Sequence, residues 1–275
     1  MYRHLNAKNQ IITRQNATFY TSAETNIPSS IKKIATEAFQ KKNVIQTIVF
    51  PNSLTSIGAR AFRGCTCLQE ISLPVRLREI GPGAFSECHS LKKAFIPATL
   101  PELPREIFLK NRRLISVDFQ KNSEIQLIRK NAFSECSALS SLILPENITK
   151  IDSRAFFRCK DLKNIHFPKN LRKIGAQAFY FCGLTSLELP EGIEVLEESA
   201  FFKCSNLTSV CLPESIRSIE KWVFHGCTRL KYLEIRHDPE FIGDWIINRS
   251  ATIRCYKGSK VDAYCREFGF QTEYL

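Results

Sequence analysis

A chain of 275 residues with 39 Lys and Arg against 27 Asp and Glu carries a formal charge of +12. That length admits two compact domains or one elongated one, and that charge admits nucleic acid or an anionic surface as a partner. No stretch approaches the roughly 18 consecutive apolar residues of a membrane-spanning helix, so none is expected.

In chain order, residues 1–19 (Met1 to Phe19) hold few apolar slots and read as an N-terminal arm or an atypical cap. From Ile27-Pro28-Ser29-Ser30-Ile31-Lys32-Lys33-Ile34 onward a regular pattern takes over. The pairs Ala38-Phe39, Ala61-Phe62, Ala84-Phe85, Ala132-Phe133, Ala155-Phe156, Ala178-Phe179 and Ala200-Phe201, with variants Ile107-Phe108 and Val223-Phe224, recur in steps of 23, 23, 23, 25, 23, 23, 22 and 23. Such a period predicts a stacked β-rich solenoid over residues 20–250, about nine repeats, rather than two domains. The 25-residue step places an outward bulge at Asn122-Ser123-Glu124, and a one-residue deletion falls near Gly183.

Aligned on Ala-Phe, the unit is AF-x-x-C-x-x-L-x-x-L-x-L-P-x-x-I-x-x-I, as in Ala132 to Ile151. Leu139 to Leu144 alternates as a short half-buried strand, Pro145 ends its ladder, and Ile148 with Ile151 marks a second extended piece. Ala-Phe-x-x-Cys is too short for an ordinary helix and predicts one tight helical or 3₁₀ turn. No unit can bury its own Phe, Leu and Ile, so stacking supplies the core, at roughly 1.5–3 kcal/mol per buried side chain. Residues 251–275 predict a C-terminal cap: a last strand and turn over Ala251 to Ser259, then a short helix from Val261 to Phe268 with Gly269 as its stop.

The repeated Ala-Phe-x-x-Cys-x-x-Leu-x-x-Ile-x-Leu-Pro-x-x-Ile-x-x-Ile, with Ile253-Arg254-Cys255-Tyr256-Lys257-Gly258-Ser259 and Phe268-Gly269-Phe270 as its tail, resembles the cysteine-containing short-unit proteins of the BspA-like leucine-rich repeat family. The resemblance implies a right-handed leucine-rich-repeat coil with short strands and capped ends. It also implies a secreted or surface protein, of bacteria or parasitic protists, engaged in adhesion to host matrix proteins or cells. Met1-Tyr2-Arg3-His4-Leu5-Asn6 lacks the apolar segment of a secretory signal, which leaves a cytoplasmic or non-classically exported protein as the alternative.

Parity along the strands predicts an outward row of Glu70/Ser72, Lys93/Phe95, Ser116/Asp118, Ser141/Ile143, Asn164/His166, Ser186/Glu188, Ser209/Cys211 and Tyr232/Glu234. This mixed, slightly acidic row is a poor phosphate groove. Lys93, Phe95, Asn164, His166, Glu188, Tyr232 and Glu234 are its candidate partner-binding residues, with Phe95 and Tyr232 as aromatic anchors. Basic residues gather instead around the second extended piece: Lys32, Lys33, Arg76, Arg78, Arg129, Lys130, Lys150, Arg172, Lys173 and Arg217. They form either a solvated flank or a stripe that meets acidic glycans, anionic membrane or an acidic protein. Most of the 20 Phe read as core.

Cys65, Cys88, Cys136, Cys159, Cys182, Cys204 and Cys227 share one repeat slot. Equivalent side chains point in parallel, so a ladder of buried reduced thiols acting as small apolar fillers is expected ahead of rung-to-rung bridges or a metal site. Such thiols favour a reducing setting. Neither a P-loop, a nucleophile elbow, an H-E-x-x-H run nor a dinucleotide fingerprint is present, and no cofactor is expected. His166 and Cys211 lie two rungs apart, about 10 Å, too far for a catalytic pair. The expected function is a monomeric, non-enzymatic binding module for a protein or glycan in adhesion. An intracellular scaffold or effector, or nucleic-acid binding through the basic flank, are the alternatives.

Overall fold

The computed structural model describes residues 10–20 and 22–275. The part of the N-terminal arm or cap that falls on residues 1–9 lies outside the described residues.

The chain winds as a parallel β-solenoid. One column consists of two-residue strands, from Ile11–Ile12 through Lys33–Ile34 and Ser56–Ile57 to Phe241–Ile242, in runs of four and seven. These make about 11 turns, two more than the Ala-Phe pairs mark. The added turns lie at the ends: Ile11–Ile12 pairs with Lys33–Ile34, and Phe241–Ile242 pairs with Ser218–Ile219. Register is strict because a slip of one residue would turn Ile34, Ile57 and their equivalents out to solvent.

A second column holds longer strands in runs of five, two and four. It breaks first between Ser116–Phe119 and Ser141–Ile143, where the 25-residue step displaces the chain. The second break follows Gly183, whose coil contributes no strand to this column between Asn164–His166 and Ser209–Leu212.

The third side is a run of turns rather than a continued helix. Hydrogen bonds of the i to i−3 type recur, as in Ala38 N–H to the Ala35 carbonyl and Lys42 N–H to the Phe39 carbonyl. Two left-handed residues per coil stop helix propagation: Glu37 (φ 56) before Ala38 and Lys41 (φ 59) after Gln40. Glycine fills these slots at Gly64, Gly83 and Gly226, but elsewhere ordinary residues such as Arg154, Arg158 and Trp222 adopt the conformation. What holds them there is the ladder between coils, in which Glu37, Phe39 and Lys41 N–H groups donate to the Ala59, Ala61 and Arg63 carbonyls at 2.8–3.0 Å.

Inside, Phe39, Phe62, Phe85, Phe108, Phe133, Phe156, Phe179, Phe201 and Phe224 form one stack with centroid spacings of 4.9–6.3 Å. Tyr20 meets its N-terminal end edge-on at 6.0 Å from Phe39. At the other end, the helix Lys260–Phe268 is capped by the Ser259 hydroxyl and by left-handed Gly269 (φ 69). Its Tyr264 hydroxyl donates to the Gly243 carbonyl and accepts from Ile246 N–H, at 3.1 and 3.2 Å, so the helix closes the last turn.

Candidate binding surfaces

The longer-strand column presents its outward residues in register, Glu70, Lys93 and Ser116 in one row and Ser72, Phe95 and Asp118 in the next. Lys93 and Phe95 share a groove of about 350 Å³ with Thr47, Glu70, Ser72 and Asp118. Asn164 and His166 pair with Ser141 and Ile143 beyond the first break. Glu188 is exposed on the strandless coil. Tyr232 lies under the Arg254 guanidinium, 3.9 Å from the ring centroid. Glu234 accepts from Arg236 at 2.6 Å, which leaves its side chain 15% exposed. The seven candidates therefore fall into separate groups along one face: Lys93 with Phe95, Asn164 with His166, Tyr232 with Glu234, and Glu188 alone.

Between the first two groups, the insertion opens a cleft of about 800 Å³ lined by residues 116–123 and 141–147. Ile143 is 74% exposed at its edge. Asp118, Lys121, Glu146 and Asn147 supply a polar rim.

The basic flank is interrupted on the short-strand column. Lys33 stands in register with Ser56 and then Glu79, whereas Lys150 and Lys173 are direct neighbours. Lys150 pairs with Asp152 at 2.7 Å, Lys173 pairs with Glu197, and Arg129 spans Glu102 and Asp152. The Glu102 carboxylate holds the Arg129 guanidinium above its ordinary pKa. Arg172 turns its guanidinium onto the Lys169 and Gly192 carbonyls. Lys32, Arg78 and Arg217 stay exposed without an ion pair among the described residues, so the free charge is scattered rather than a continuous stripe.

The thiols do more than fill space. Each Sγ in the repeat slot lies 3.0–3.3 Å from the Phe carbonyl of the preceding coil, as in Cys65 to Phe39 and Cys159 to Phe133, so the S–H donates across the stack. All are free, and burial pushes Cys65 and Cys227 up to about 12 and Cys88, Cys136, Cys182 and Cys204 well above the ordinary value. Buried and inaccessible, the seven are poor nucleophiles and poor metal ligands. Among the described residues no three His, Cys, Asp or Glu side chains converge as a metal-ligand set. No helix there is long and apolar enough to cross a membrane.

The sequence reading passed over an outer aromatic ladder one residue beyond the core Phe slot. Phe157, Tyr180, Phe202 and His225 stack on the turn side with centroids 4.9, 5.2 and 5.7 Å apart. Arg154 and Arg158 cover Phe157 at 5.6 and 5.4 Å, Lys203 covers Phe202, Lys160 covers the neighbouring Phe181, and Lys221 covers Trp222. The signal was present as the doublets Phe156-Phe157, Phe179-Tyr180 and Phe201-Phe202 at the repeat period.

A solenoid of in-register coils, with grooves on one side and buried inert thiols within, defines a repeat scaffold whose chemistry lies on its surface. The family model for the BspA type leucine rich repeat region matches residues 11–137 and 126–254, in 6 copies, and the chain belongs to that family. Among solved structures it is similar to a leucine-rich repeat protein from Bacteroides ovatus, at 22% identity and TM-score 0.59 over 92% of this chain and 83% of the other. A leucine-rich repeat protein from Eubacterium ventriosum is 28% identical, with TM-score 0.58 over 61% of this chain and 45% of its own. The pneumococcal vaccine antigen PcpA is 21% identical, with TM-score 0.52 over 92% of this chain and 78% of its own. A comparison with curated proteins found no match.

Proposed function

We propose that this protein is a non-enzymatic interaction module that takes a protein partner across its longer-strand face, centred on the cleft at the insertion. The observation that carries the reading is an exposed apolar anchor, Ile143, beside a cavity of about 800 Å³ with a polar rim. An apolar centre within a polar border is how specific protein interfaces are built. Lys93 and Phe95 extend the surface on one side of the cleft, and Asn164 and His166 on the other. Adhesion at a cell surface is the setting the family resemblance favours. An intracellular scaffold would use the same face, and protease accessibility on intact cells separates the two.

Ile143→Asp, combined with Phe95→Ala and His166→Ala, leaves the buried slots untouched, so its melting temperature should stay at the wild-type value. Immobilised on beads, it should lose the protein that the wild-type chain captures from a host-cell surface extract. Equal capture by a folded triple variant removes this face as the binding site.

A further inference from the structure

Of the cysteines outside the repeat slot, Cys67 and Cys211 are exposed on separate coils, whereas Cys255 and Cys265 are buried together in the C-terminal cap. Cys255 ends the strand Thr252–Cys255, where alternation turns it inward with Ile253 and leaves Thr252 and Arg254 partly exposed. Cys265 lies on the helix Lys260–Phe268, one turn beyond Val261 on its buried face. The helix packs on that strand, and the two thiols are hydrogen-bonded to each other.

Direction separates this pair from the thiols of the stack. The ladder cysteines occupy equivalent positions on successive coils, so their side chains run parallel, and each Sγ is engaged by a Phe carbonyl of the preceding coil. Even where two of them touch, as Cys159 and Cys182 do, that carbonyl bond holds each in its own slot. Cys255 and Cys265 instead come from two different elements that face each other, and neither Sγ bonds a main-chain carbonyl among the described residues. Burial pushes Cys265 up to about 11 and raises Cys255 as well, while the Thr272 hydroxyl beside Cys265 and the Ser259 hydroxyl beside Cys255 favour the thiolate.

Position in the fold supplies access. The strand Gln271–Tyr274 is the last of its sheet and mostly exposed, so the terminal strand and helix have no further coil beyond them. Such an end opens locally more readily than coils paired on both sides.

We propose that Cys255 and Cys265 are an oxidation site, a dithiol that a low-molecular-weight disulfide such as oxidised glutathione converts to an intramolecular disulfide, stapling the terminal helix to its strand while the ladder thiols stay reduced. One thiolate attacks the glutathione disulfide, forming a mixed disulfide and releasing one glutathione thiolate. The other attacks the protein sulfur of that bond and releases the second. The two thiol protons pass to the two released thiolates, so two protein thiols are oxidised as one glutathione disulfide is reduced.

The full chain, prepared reduced, is equilibrated with glutathione at a series of reduced-to-oxidised ratios, alkylated and digested with trypsin. The expected product joins Cys255-Tyr256-Lys257 to Val261-Asp262-Ala263-Tyr264-Cys265-Arg266, the tryptic peptides that carry the two residues. It should form at ratios that leave Cys136, Cys159 and Cys182 free. Amide hydrogen exchange across the helix should slow at least about tenfold in the oxidised protein, a change that Cys265→Ala abolishes. Should that variant fail to fold, the wild-type chain in its two redox states still carries the comparison. A parallel run in urea just below the unfolding transition opens the cap, so that burial does not prevent reaction. The proposal is overturned if Cys255 and Cys265 stay free in that run at ratios that glutathionylate Cys67 and Cys211. Ladder cysteines joined in equal yield in the native run, or helix exchange unchanged by the bond, overturn it as well.

Discussion

Asn111 is the sharpest test of how successive coils are joined, because it occupies the slot that holds a cysteine in seven other coils. It is fully buried; its Nδ2 donates to the Phe85 carbonyl at 3.0 Å, and its Oδ1 accepts the Cys88 N–H at 2.8 Å. Elsewhere that N–H closes on its own coil, as in Cys65 N–H to the Phe62 carbonyl at 3.1 Å, and a thiol serves the carbonyl below. The larger amide coincides with the widest ring spacing of the stack, 6.3 Å between Phe85 and Phe108. Asn111→Leu keeps the branched heavy-atom shape and removes both partners, stranding a buried N–H and weakening a buried carbonyl at about 1–3 kcal/mol each. Some relief follows if Cys88 N–H turns to the Phe85 carbonyl, so the net loss should be about 2–4 kcal/mol. In a chain of this size that lowers the melting temperature by at least about 4 °C. Asn111→Cys restores the bonding of the other coils and should stay within about 1 kcal/mol of wild type. Urea unfolding followed by tryptophan fluorescence measures all three proteins. The argument fails if the leucine variant unfolds with the wild type, or if the cysteine variant loses as much as the leucine one.

Two further outcomes follow from the interior. At pH 8 an alkylating reagent should label Cys67 and Cys211 in the native protein and all 11 thiols in denaturant, with Cys211 slowed because burial and then Glu234 raise its pKa; rapid native labelling of Cys136 or Cys182 would contradict the ladder. Thiols held near 12 in the fold against 9.0 unfolded contribute stability below about pH 9 that is lost as pH rises towards 12. Cys65→Ala should flatten that alkaline decline in a pH series of urea midpoints, and an unchanged slope would refute the linkage. Gly81→Ala should destabilise by more than about 1 kcal/mol, because the new Cβ would fall on the Ala59 backbone, whereas Gly258→Ala meets only open space and pays the smaller strain of its positive φ. Similar midpoints for the two would show that the coils can separate there.

The period of the Ala-Phe pairs and the apolar Leu and Ile slots were enough to read the stack, the register and the parity of the strand row, because these follow from burial alone. Two features were not legible for a physical reason. Left-handed backbone at Glu37, Arg154 or Trp222 is imposed by hydrogen bonds between coils, and no side-chain preference announces it. Cysteine read as a small apolar filler, since its letter does not reveal a donor; Asn111 in the same slot was the sign that the slot needs one. On the surface, strand parity put Phe95 and His166 on the outward side, where Phe95 is half-buried and His166 exposed. The cleft between their groups, however, depends on how two inserted residues splay neighbouring strands, which spacing marks only as a bulge.

The arrangement also separates what must be kept from what can change. Along the column one residue beyond the core Phe, the chain reads Gln40, Arg63, Ser86, Leu109, Ser134, Phe157, Tyr180, Phe202 and His225. The inner stack beneath passes from Phe133–Phe156 at 5.1 Å to Phe156–Phe179 at 5.0 Å as that outer column turns aromatic. The inner spacing is fixed by backbone ladders between coils, which bind no outward side chain. Side chains of this outer column therefore vary from coil to coil, from buried Ser86 and Ser134 to the stacked rings of Phe157, Tyr180 and Phe202, without disturbing the ladder beneath.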